Sequence, residues 1–265
     1  MAEAFGDYDY RLAFAGTNEV HLPNNWNAPT AENLTVQNSY NQTFVDAVRA
    51  TGGRNQKRHL IVQTYCCELE YGLNNGGFVI PNDLSGNGNA YMSVEFHYYK
   101  PWDYCGGGAV YYWGKPYRSG DEQTLHNDFM RAANAWGSKG LGVIIGEWGI
   151  SNHWNTAANI NSIHTCMTYF CKALVSEARN KGFATFIWDN GAFGNGEEKF
   201  GIFDRRNQMT NKATWITSGI SQGIATGVDS KTLKVEGKKC QAFIQDGKIV
   251  VVKGKNTYDL QGKRL

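Results

Sequence analysis

Apolar segments of two kinds alternate along this chain, and their alternation restricts the folds that it can adopt. Short β-branched runs such as Val143-Ile144-Ile145 are typical of buried strands. Longer segments have apolar residues at helical spacing, as at Ile163, Met167 and Phe170. Because parallel strands are joined by crossover helices, this order predicts an α/β protein whose parallel sheet is either open or closed into a barrel.

Turn residues and helix caps give bounds for these segments. The predicted strands are Leu12–Asn18, His59–Tyr65, Ala90–Tyr99, Leu141–Glu147 and Phe183–Trp188. The predicted helices are Asn41–Gly52, Glu122–Gly137, Ile160–Lys181 and Thr210–Ile224. Asn41 is a candidate N-cap of the first helix, and the glycines that follow Thr51 end it.

Two long segments, Glu19–Tyr40 and Cys66–Asn89, are rich in Asn, Gly and Pro and are predicted to be loops. Loops of this length inside a compact domain are usually functional or disordered. Each follows a predicted strand, on the side of a parallel sheet where active sites lie. We therefore expect both segments to form walls of a substrate groove.

Two glutamates stand where predicted strands end. Glu147 closes the apolar run that begins at Val143, and Glu19 follows the strand that begins at Leu12. An unpaired charge is costly to bury, so each carboxylate is expected at the mouth of the sheet or barrel. A single glutamate after a strand is more often a solvated loop residue. Two carboxylates facing one pocket are what glycosidic bond cleavage requires.

Composition supports a sugar-binding protein and excludes other classes. Aromatic residues make up 13% of the chain, and flat sugar faces stack on such rings, although an aromatic core would explain about half of them. The net charge of +2 gives no indication of a nucleic-acid partner. No apolar stretch is long enough to span a membrane, and the first residues do not form a signal peptide. The six cysteines lack C-x-x-C spacing, so a zinc site is not expected and free thiols are favoured over disulfides.

The pattern changes after about Ala225, which divides the chain into two predicted regions. Residues 1–225 hold the alternating strands and helices. Residues 226–265 form a small basic region in which Asp246-Gly247 separates two β-rich runs, a strong hairpin signal. About 40 residues are too few for a robust core of their own. We therefore expect either a small β-rich appendage or a sorting tail.

Four motifs, in this order, resemble those of glycoside hydrolase family 5, the cellulase family. Together they cover roughly residues 1 to 224. They are Asn18-Glu19, His97-Tyr98-Tyr99, Gly146-Glu147-Trp148-Gly149 and Phe186-Ile187-Trp188-Asp189-Asn190-Gly191. The closing loop Phe200–Arg205 is also similar. Further segments resemble the subfamily 4 endo-β-1,4-glucanases, which cleave cellulose-type, mixed-linkage and xyloglucan chains: Glu32-Asn33, Tyr40–Val45 and Thr51-Gly52-Gly53.

The resemblance implies a role for each matching residue. Glu147 would be the nucleophile that forms a glycosyl-enzyme intermediate, and Glu19 would be the general acid/base. In a retaining enzyme of this kind the two carboxyl groups lie about 5–5.5 Å apart. Asn18 would hydrogen-bond the sugar 2-OH, and Tyr99 would hold an oxygen of the nucleophile.

The resemblance also implies that His97 lines the pocket and that Trp188 is the stacking floor of the cleavage subsite. The implied partner is a β-glucan polysaccharide, and no metal or organic cofactor is needed. Trp102, Trp113, Trp148 and Trp154 are equally consistent with sugar platforms and with packing.

The family fold is an eight-stranded TIM barrel with the acid/base on its fourth strand. The strand that begins at Leu12 takes that place here, preceded only by Ala2–Tyr8, which resembles the end of the third helix. We therefore expect an N-terminally truncated, partial TIM barrel of about strands four to eight. The strand-2 Arg and strand-3 His of the family would be absent, and the open sheet edges would favour self-association.

Three interpretations follow from this sequence. The first is a retaining endo-β-1,4-glucanase, secreted or at the cell surface because its polymer substrate lies outside the cell. The second is a truncated, catalytically inactive remnant that still binds glucan through its aromatic loops. The third is a fragment that folds poorly and has no function.

Overall fold

Five parallel strands form the centre of the protein. The structure is a computed structural model, which describes residues 1–74, 77–153 and 159–226 and the backbone of four strands between 232 and 258. The central strands are β1 (Ala13–Ala15), β2 (His59–Glu68), β3 (Met92–Tyr98), β4 (Gly142–Trp148) and β5 (Ala184–Ile187). They pair in chain order, each parallel to the next.

The sheet curls into a half-barrel, as the sequence predicted for a partial TIM barrel. Parallel strands connected by helices place all their carboxyl ends at one face. In the part of the chain that the structure describes, β1 and β5 each have a partner on one side only.

Helices connect and cover the strands. They are α1 (Ala31–Ala50), α2 (Leu69–Leu73), α3 (Trp102–Cys105), α4 (Asp121–Ala135), α5 (Ile160–Asn180) and α6 (Thr214–Thr226). A short antiparallel pair, β6 (Phe203–Asp204) and β7 (Thr210–Asn211), precedes α6. Among the described helices, none combines the length and the apolar character needed to cross a lipid bilayer.

Alternation along the strands separates a packing face from a polar face. Apolar side chains such as Phe96 and Ile145 are buried against helices, where Phe129 of α4 contributes to the same cluster. The residues between them point to the other face, because successive strand side chains alternate. On β2 and β3 these residues include Gln63 and Glu95, which are buried and hydrogen-bonded to each other.

The first helix is longer than the sequence predicted. It begins at Ala31, ten residues before the expected start, and Thr30 is its N-cap in a capping box with Asn33. Asn41, the predicted cap, lies within the helix, where it is buried and donates to the Gln63 carbonyl. The second half of the predicted loop 19–40 is therefore helical.

The other predicted loop and the amino-terminal segment also differ from expectation. In the segment 66–89, β2 continues to Glu68 and α2 follows at once. Residues 2–7 form turns instead of the end of a helix. The buried side chain of Arg58 organises the segment that precedes β1, because its guanidinium donates to backbone carbonyls of Asp9, Leu12, Tyr8, Phe5 and Gly6.

Replacing Arg58 with Met should destabilise the fold by removing these hydrogen bonds. Charge-assisted hydrogen bonds contribute roughly 1.5–3 kcal/mol each, and recovery of the arginine's solvation offsets part of that. We expect the free energy of unfolding to fall by about 3 kcal/mol in urea titrations. Arg54→Met is the control, because Arg54 is exposed and should change stability by less than about 0.5 kcal/mol. Equal stability of the two variants would contradict this account.

Four strands near the carboxyl end form a second, antiparallel sheet. They are β8 (Thr232–Val235), β9 (Lys238–Gln245), β10 (Lys248–Lys253) and β11 (Asn256–Tyr258), in the order β11-β10-β9-β8. Gln245 pairs with Lys248, so β9 and β10 flank the predicted two-residue turn, and residues 246 and 247 themselves lie outside the described residues. The division of the chain at about residue 225 stays a prediction.

Candidate active site

The carboxyl ends of the central strands bring the predicted site residues together. Asn18, Glu19, Tyr99, Glu147 and Trp188 line one cavity of about 710 Å³. His97, the sixth predicted residue, is buried beside it and contacts Glu19 directly. Residues from four strands or the loops that follow them therefore form a single site.

The two carboxylates are close enough to act on one bond. One oxygen of Glu19, one of Glu147 and a ring nitrogen of His97 all lie within 4.8 Å of one another. Retaining glycosidases have carboxyl groups about 5–5.5 Å apart, whereas inverting enzymes need about 6.5–9.5 Å to admit a water. The observed separation fits direct attack by one carboxylate.

His97 lies among three carboxylates. Its Nδ1 lies within hydrogen-bonding distance of Glu19 Oε1, at 2.5 Å, and 3.6 Å from Glu147 Oε2. Its Nε2 lies 3.3 Å from Glu95 Oε1. Burial disfavours the charged imidazole, but hydrogen bonds with Cys67, Glu19 and Glu95 outweigh burial and raise the pKa of His97 far above its usual range. These contacts favour the charged form of His97.

Glu147 is held from two sides. The Tyr99 hydroxyl donates to Glu147 Oε2 at 3.0 Å, and the charge of His97 lies nearby. Burial raises the pKa of Glu147, while His97 and Tyr99 act in the opposite direction, and the pKa remains above its usual value. The two partners thus favour the ionised form of a carboxylate that burial would otherwise neutralise.

The backbone around Glu19 has an uncommon conformation. Glu19 has φ of 46°, and the adjacent Cys66 and Cys67 have φ of 55° and 51°. Such left-handed conformations in non-glycine residues are uncommon and concentrate at functional sites. The Glu19 N–H donates to Cys67 Sγ, 3.4 Å away, which ties the carboxylate's loop to β2. Burial raises the pKa of Cys66 to about 12, so that thiol is neutral.

Exposure separates the tryptophans that line the cleft from those that pack. Trp188, Trp102 and Trp26 are 43%, 49% and 60% exposed and line the cavity. Trp113 and Trp148 are each 1% exposed, so both are packing residues. Trp154 lies outside the described residues.

A second cavity of about 310 Å³ adjoins the first. Both are lined by Glu19, Trp26, Tyr99 and Trp102, so they are two lobes of one cleft. We call the larger part, which contains Glu147 and Trp188, the Glu147 lobe. The smaller part, the Glu70 lobe, has other polar residues on its wall: Cys66, Glu68, Glu70 and Lys100.

Sequence reasoning missed several residues of this site. Trp26 could have been found, because it is a lone tryptophan in a segment predicted as a groove wall. Glu95 was also detectable, because its carboxylate lies between Ser93 and His97 on the polar face of a strand whose other face is apolar. Cys67 and Glu70 gave no such signal, since their places depend on the irregular register of β2 beside β3 and on α2.

The trio of Glu19, His97 and Glu147 contains the atom types that bind metal ions. In this structure Nδ1 of His97 lies 2.5 Å from Glu19 Oε1 and 3.6 Å from Glu147 Oε2. The assignment of Glu19 and Glu147 to proton transfer and nucleophilic attack stays a prediction.

A curled parallel sheet with two close carboxylates at its carboxyl-end face defines a protein of the glycoside hydrolase class. Residues 1–194 match the sequence profile of the family described as Cellulase (glycosyl hydrolase family 5). The chain belongs to this family.

Relatives of known activity agree with this assignment. The chain is 31% identical over 238 residues to Endoglucanase A of Paenibacillus barcinonensis, covering 84% of this chain and 58% of the relative. It is 34% identical over 230 residues to the xyloglucan-specific endo-beta-1,4-glucanase BoGH5A of Bacteroides ovatus, covering 82% and 43%. The chain thus spans about half the length of these curated relatives.

Solved structures show the same architecture. The xyloglucan-specific β-1,4-glucanase XEG5B from a ruminal metagenomic library superposes with a TM-score of 0.75 at 30% identity, covering 85% of this chain and 61% of that one. A GH5-4 broad specificity endoglucanase from Clostridium cellulovorans gives 0.70 at 28% identity, covering 84% and 60%. The predicted family and fold class are confirmed.

Proposed function

We propose that this chain is a retaining endo-β-1,4-glucanase-type hydrolase acting on β-glucans. The observation that supports this most directly is the pair of carboxylates, Glu19 and Glu147, within 4.8 Å of each other beside the buried ring of His97. The chain covers only part of the length of its relatives. We therefore infer the activity from the site that this chain itself forms.

In the proposed reaction Glu147 attacks the anomeric carbon while Glu19 protonates the leaving oxygen. The glycosidic bond breaks as the Glu147–sugar bond forms. Glu19, now ionised, takes a proton from water, which attacks the same carbon and releases Glu147. Two inversions retain the anomeric configuration. Asn18 hydrogen-bonds the 2-OH, and Trp188 stacks beneath the sugar.

Tyr99 and His97 prepare the two carboxylates for these roles. The Tyr99 hydroxyl fixes one oxygen of Glu147, so the other is free to attack. The His97 charge favours an ionised nucleophile. No metal or organic cofactor enters a step, since protonation and carboxylate attack supply the chemistry.

The proposed substrate is a soluble β-glucan of cellulose-type, mixed-linkage or xyloglucan structure. The relatives named above support this substrate class, because they are named as endoglucanases or xyloglucan-specific glucanases. Such a polymer cannot enter a cell, so we propose a secreted or cell-surface location. The near-neutral charge gives no reason to expect a nucleic-acid or membrane partner.

The test is the anomeric configuration of the first product. Proton NMR during digestion of mixed-linkage β-glucan and xyloglucan should show the β-anomer before mutarotation. An initial α-anomer would refute the retaining mechanism, and the absence of product would refute the proposed hydrolase activity.

A second candidate is a glucan-binding protein without turnover. The three exposed tryptophans of the cleft favour it, because stacking alone retains a polysaccharide. Electrophoresis through gels containing β-glucan distinguishes the two. Retardation without release of reducing sugar would favour binding alone.

The two lobes predict different effects of removing a tryptophan. The Glu70 lobe contains Glu19 but lacks Glu147, so it should hold the leaving-group side of the chain. Trp26→Ala should lower kcat/KM on polysaccharide about tenfold, equivalent to about 1.4 kcal/mol of lost stacking. An aryl β-cellobioside has no sugar in the Glu70 lobe, so Trp26→Ala should slow its hydrolysis less than that of polysaccharide; the loss need not be zero, because Trp26 also lines the Glu147 lobe. Trp188→Ala should impair both substrates. Tyr10→Ala, distant and exposed, is the control.

We also propose that the open sheet edges cause self-association. β1 and β5 are unpaired on one side within the described residues, and Phe186 on β5 is 58% exposed. Exposed apolar strand edges pair readily with other chains. Sedimentation velocity should show a species larger than the monomer, and Phe186→Lys should shift it toward monomer. A monomer at all concentrations would contradict this.

A further inference from the structure

We propose that Glu95 is a positioning residue that keeps His97 a two-proton donor aimed at the gap between Glu19 and Glu147. This inference rests on the proposed hydrolysis and names a residue to which the family motifs assign no role. Glu95 lies behind His97 on β3 and does not line either lobe of the cleft.

The side chain of Glu95 is held by two polar contacts. Its carboxylate is buried, with Oε1 facing His97 Nε2 at 3.3 Å and Oε2 accepting from Gln63 Nε2 at 2.9 Å. Gln63 is itself fixed, since its side-chain oxygen accepts from the Thr17 hydroxyl at 2.5 Å. A buried carboxylate needs a cationic partner, and His97 is the titratable base within its reach.

Glu95 also packs closely against β4. A Cβ atom placed at Gly146 would overlap Glu95 Oε1, so only glycine leaves room for the carboxylate. Gly146 directly precedes Glu147 in the chain. The position of Glu95 is therefore defined from β2, β3 and β4 together, and it fixes the ring of His97 from behind.

Titratable groups face the ring of His97 from four directions. Every neighbouring element presents a group to its ring: Glu19 after β1, Cys67 on β2, Glu95 on β3 and Glu147 on β4. Cys67 is a thiol whose pKa burial raises, so it adds no charge at neutral pH. Three carboxyl groups thus surround the ring of His97, and Glu95 is the one that does not line the cleft.

The chemical consequence concerns which oxygen of Glu19 holds the transferable proton. A protonated Nδ1 donates to Glu19 Oε1, so that oxygen remains an acceptor and the acid proton lies on Oε2. In the bond-breaking step this proton passes from Oε2 to the leaving oxygen, and His97 keeps both of its protons. A neutral ring with Nδ1 unprotonated would instead accept the proton from Glu19 and compete with the leaving group.

The charge of His97 can be tested in the unmodified protein by ¹⁵N NMR of its imidazole. The chain has six histidines, and loss of one signal in His97→Asn assigns the resonance. We expect imidazolium shifts from about pH 5 to pH 9, where an ordinary histidine would lose its proton. A ring that becomes neutral in that range would overturn the proposal without any variant of Glu95.

The role of Glu95 is tested by Glu95→Gln, which keeps the size and removes the charge. His97 should then lose its proton inside the same pH range. Asp128→Asn is the matched control, because Asp128 is another buried carboxylate and bonds Tyr98, Lys100 and Arg131 instead of His97. We expect His97 to stay charged in the control. Unchanged titration in Glu95→Gln would overturn the proposal.

Kinetics separate positioning from a merely structural role. On soluble β-glucan, Glu95→Gln should lower kcat about 10- to 100-fold, as loss of carboxylates behind functional histidines does elsewhere, and leave KM within about twofold. Glu95→Asp, which keeps the charge, should recover part of kcat. A variant with neutral His97 and unchanged kcat would overturn the proposal. If the NMR result is as expected but the unmodified protein cleaves no glucan, the proposed hydrolysis is what has failed.

Discussion

Glu147→Gln should abolish hydrolysis of soluble mixed-linkage β-glucan, lowering kcat by at least about 10⁴-fold, because removal of a covalent nucleophile typically costs this much or more. The amide keeps the shape of the side chain and can still bond Tyr99, so substrate should bind with little change. Reducing-sugar release gives the rate, and gels containing glucan report binding.

The control for this variant is Glu197→Gln, which removes an exposed carboxylate from the loop after β5. It should retain full activity. As a second measure, Glu147→Gly with added azide should yield an α-glycosyl azide, because an external anion attacks from the face that the carboxylate has vacated. Full turnover by Glu147→Gln would show that Glu147 is not the nucleophile.

Glu19→Gln should produce a loss that depends on the leaving group. On polysaccharide, kcat/KM should fall about 10²- to 10⁴-fold, the usual contribution of a general acid. On a dinitrophenyl β-cellobioside the first step should be nearly normal, since that leaving group departs without protonation. The second step then limits turnover, so a burst of dinitrophenol should precede a slow steady state.

Azide provides the matching check on Glu19. It needs no general base, so it should accelerate the slow second step and give a β-glycosyl azide. Equal losses on both substrates, with no burst, would contradict an acid/base role and indicate that Glu19 only maintains the structure of the site.

The central strands and the carboxylates at their ends were predictable from the sequence because two independent signals coincide there. Strands such as β4 are short β-branched runs, and a run of this kind is typical of a buried strand. A carboxylate at its end is informative because the core excludes charge. The positions of Glu19 and Glu147 in one cleft therefore followed from local sequence and topology.

The start of α1 was not predictable in the same way. Its first half is rich in Asn, Gln, Ser and Thr, and the helix face there is polar because Gln37 and Asn41 hydrogen-bond the backbone of Gln63 on β2. Apolar periodicity cannot reveal a helix that contacts the sheet through amides. The capping box at Thr30 has Asn at its third position instead of Glu or Gln, which hides it further.

Long-range side-chain contacts explain the remaining differences. The turns at residues 2–7 depend on the Arg58 guanidinium, which is more than 45 residues away in sequence. The charge on His97 depends on carboxylates from three other positions in the chain. Both sets of contacts include residues that are far apart in sequence, so neither can be read from a short segment of the chain.

The overlap between a Cβ at Gly146 and Glu95 has a consequence for laboratory evolution of this protein. A library randomised at position 146 alone should return glycine, since any larger residue displaces a charge on the adjacent strand. A library randomised at 95 and 146 together should recover compensated pairs with a shorter residue at 95. Epistasis between these two sites, neither of which lines the cleft, would limit the routes by which the region around Glu147 can be redesigned.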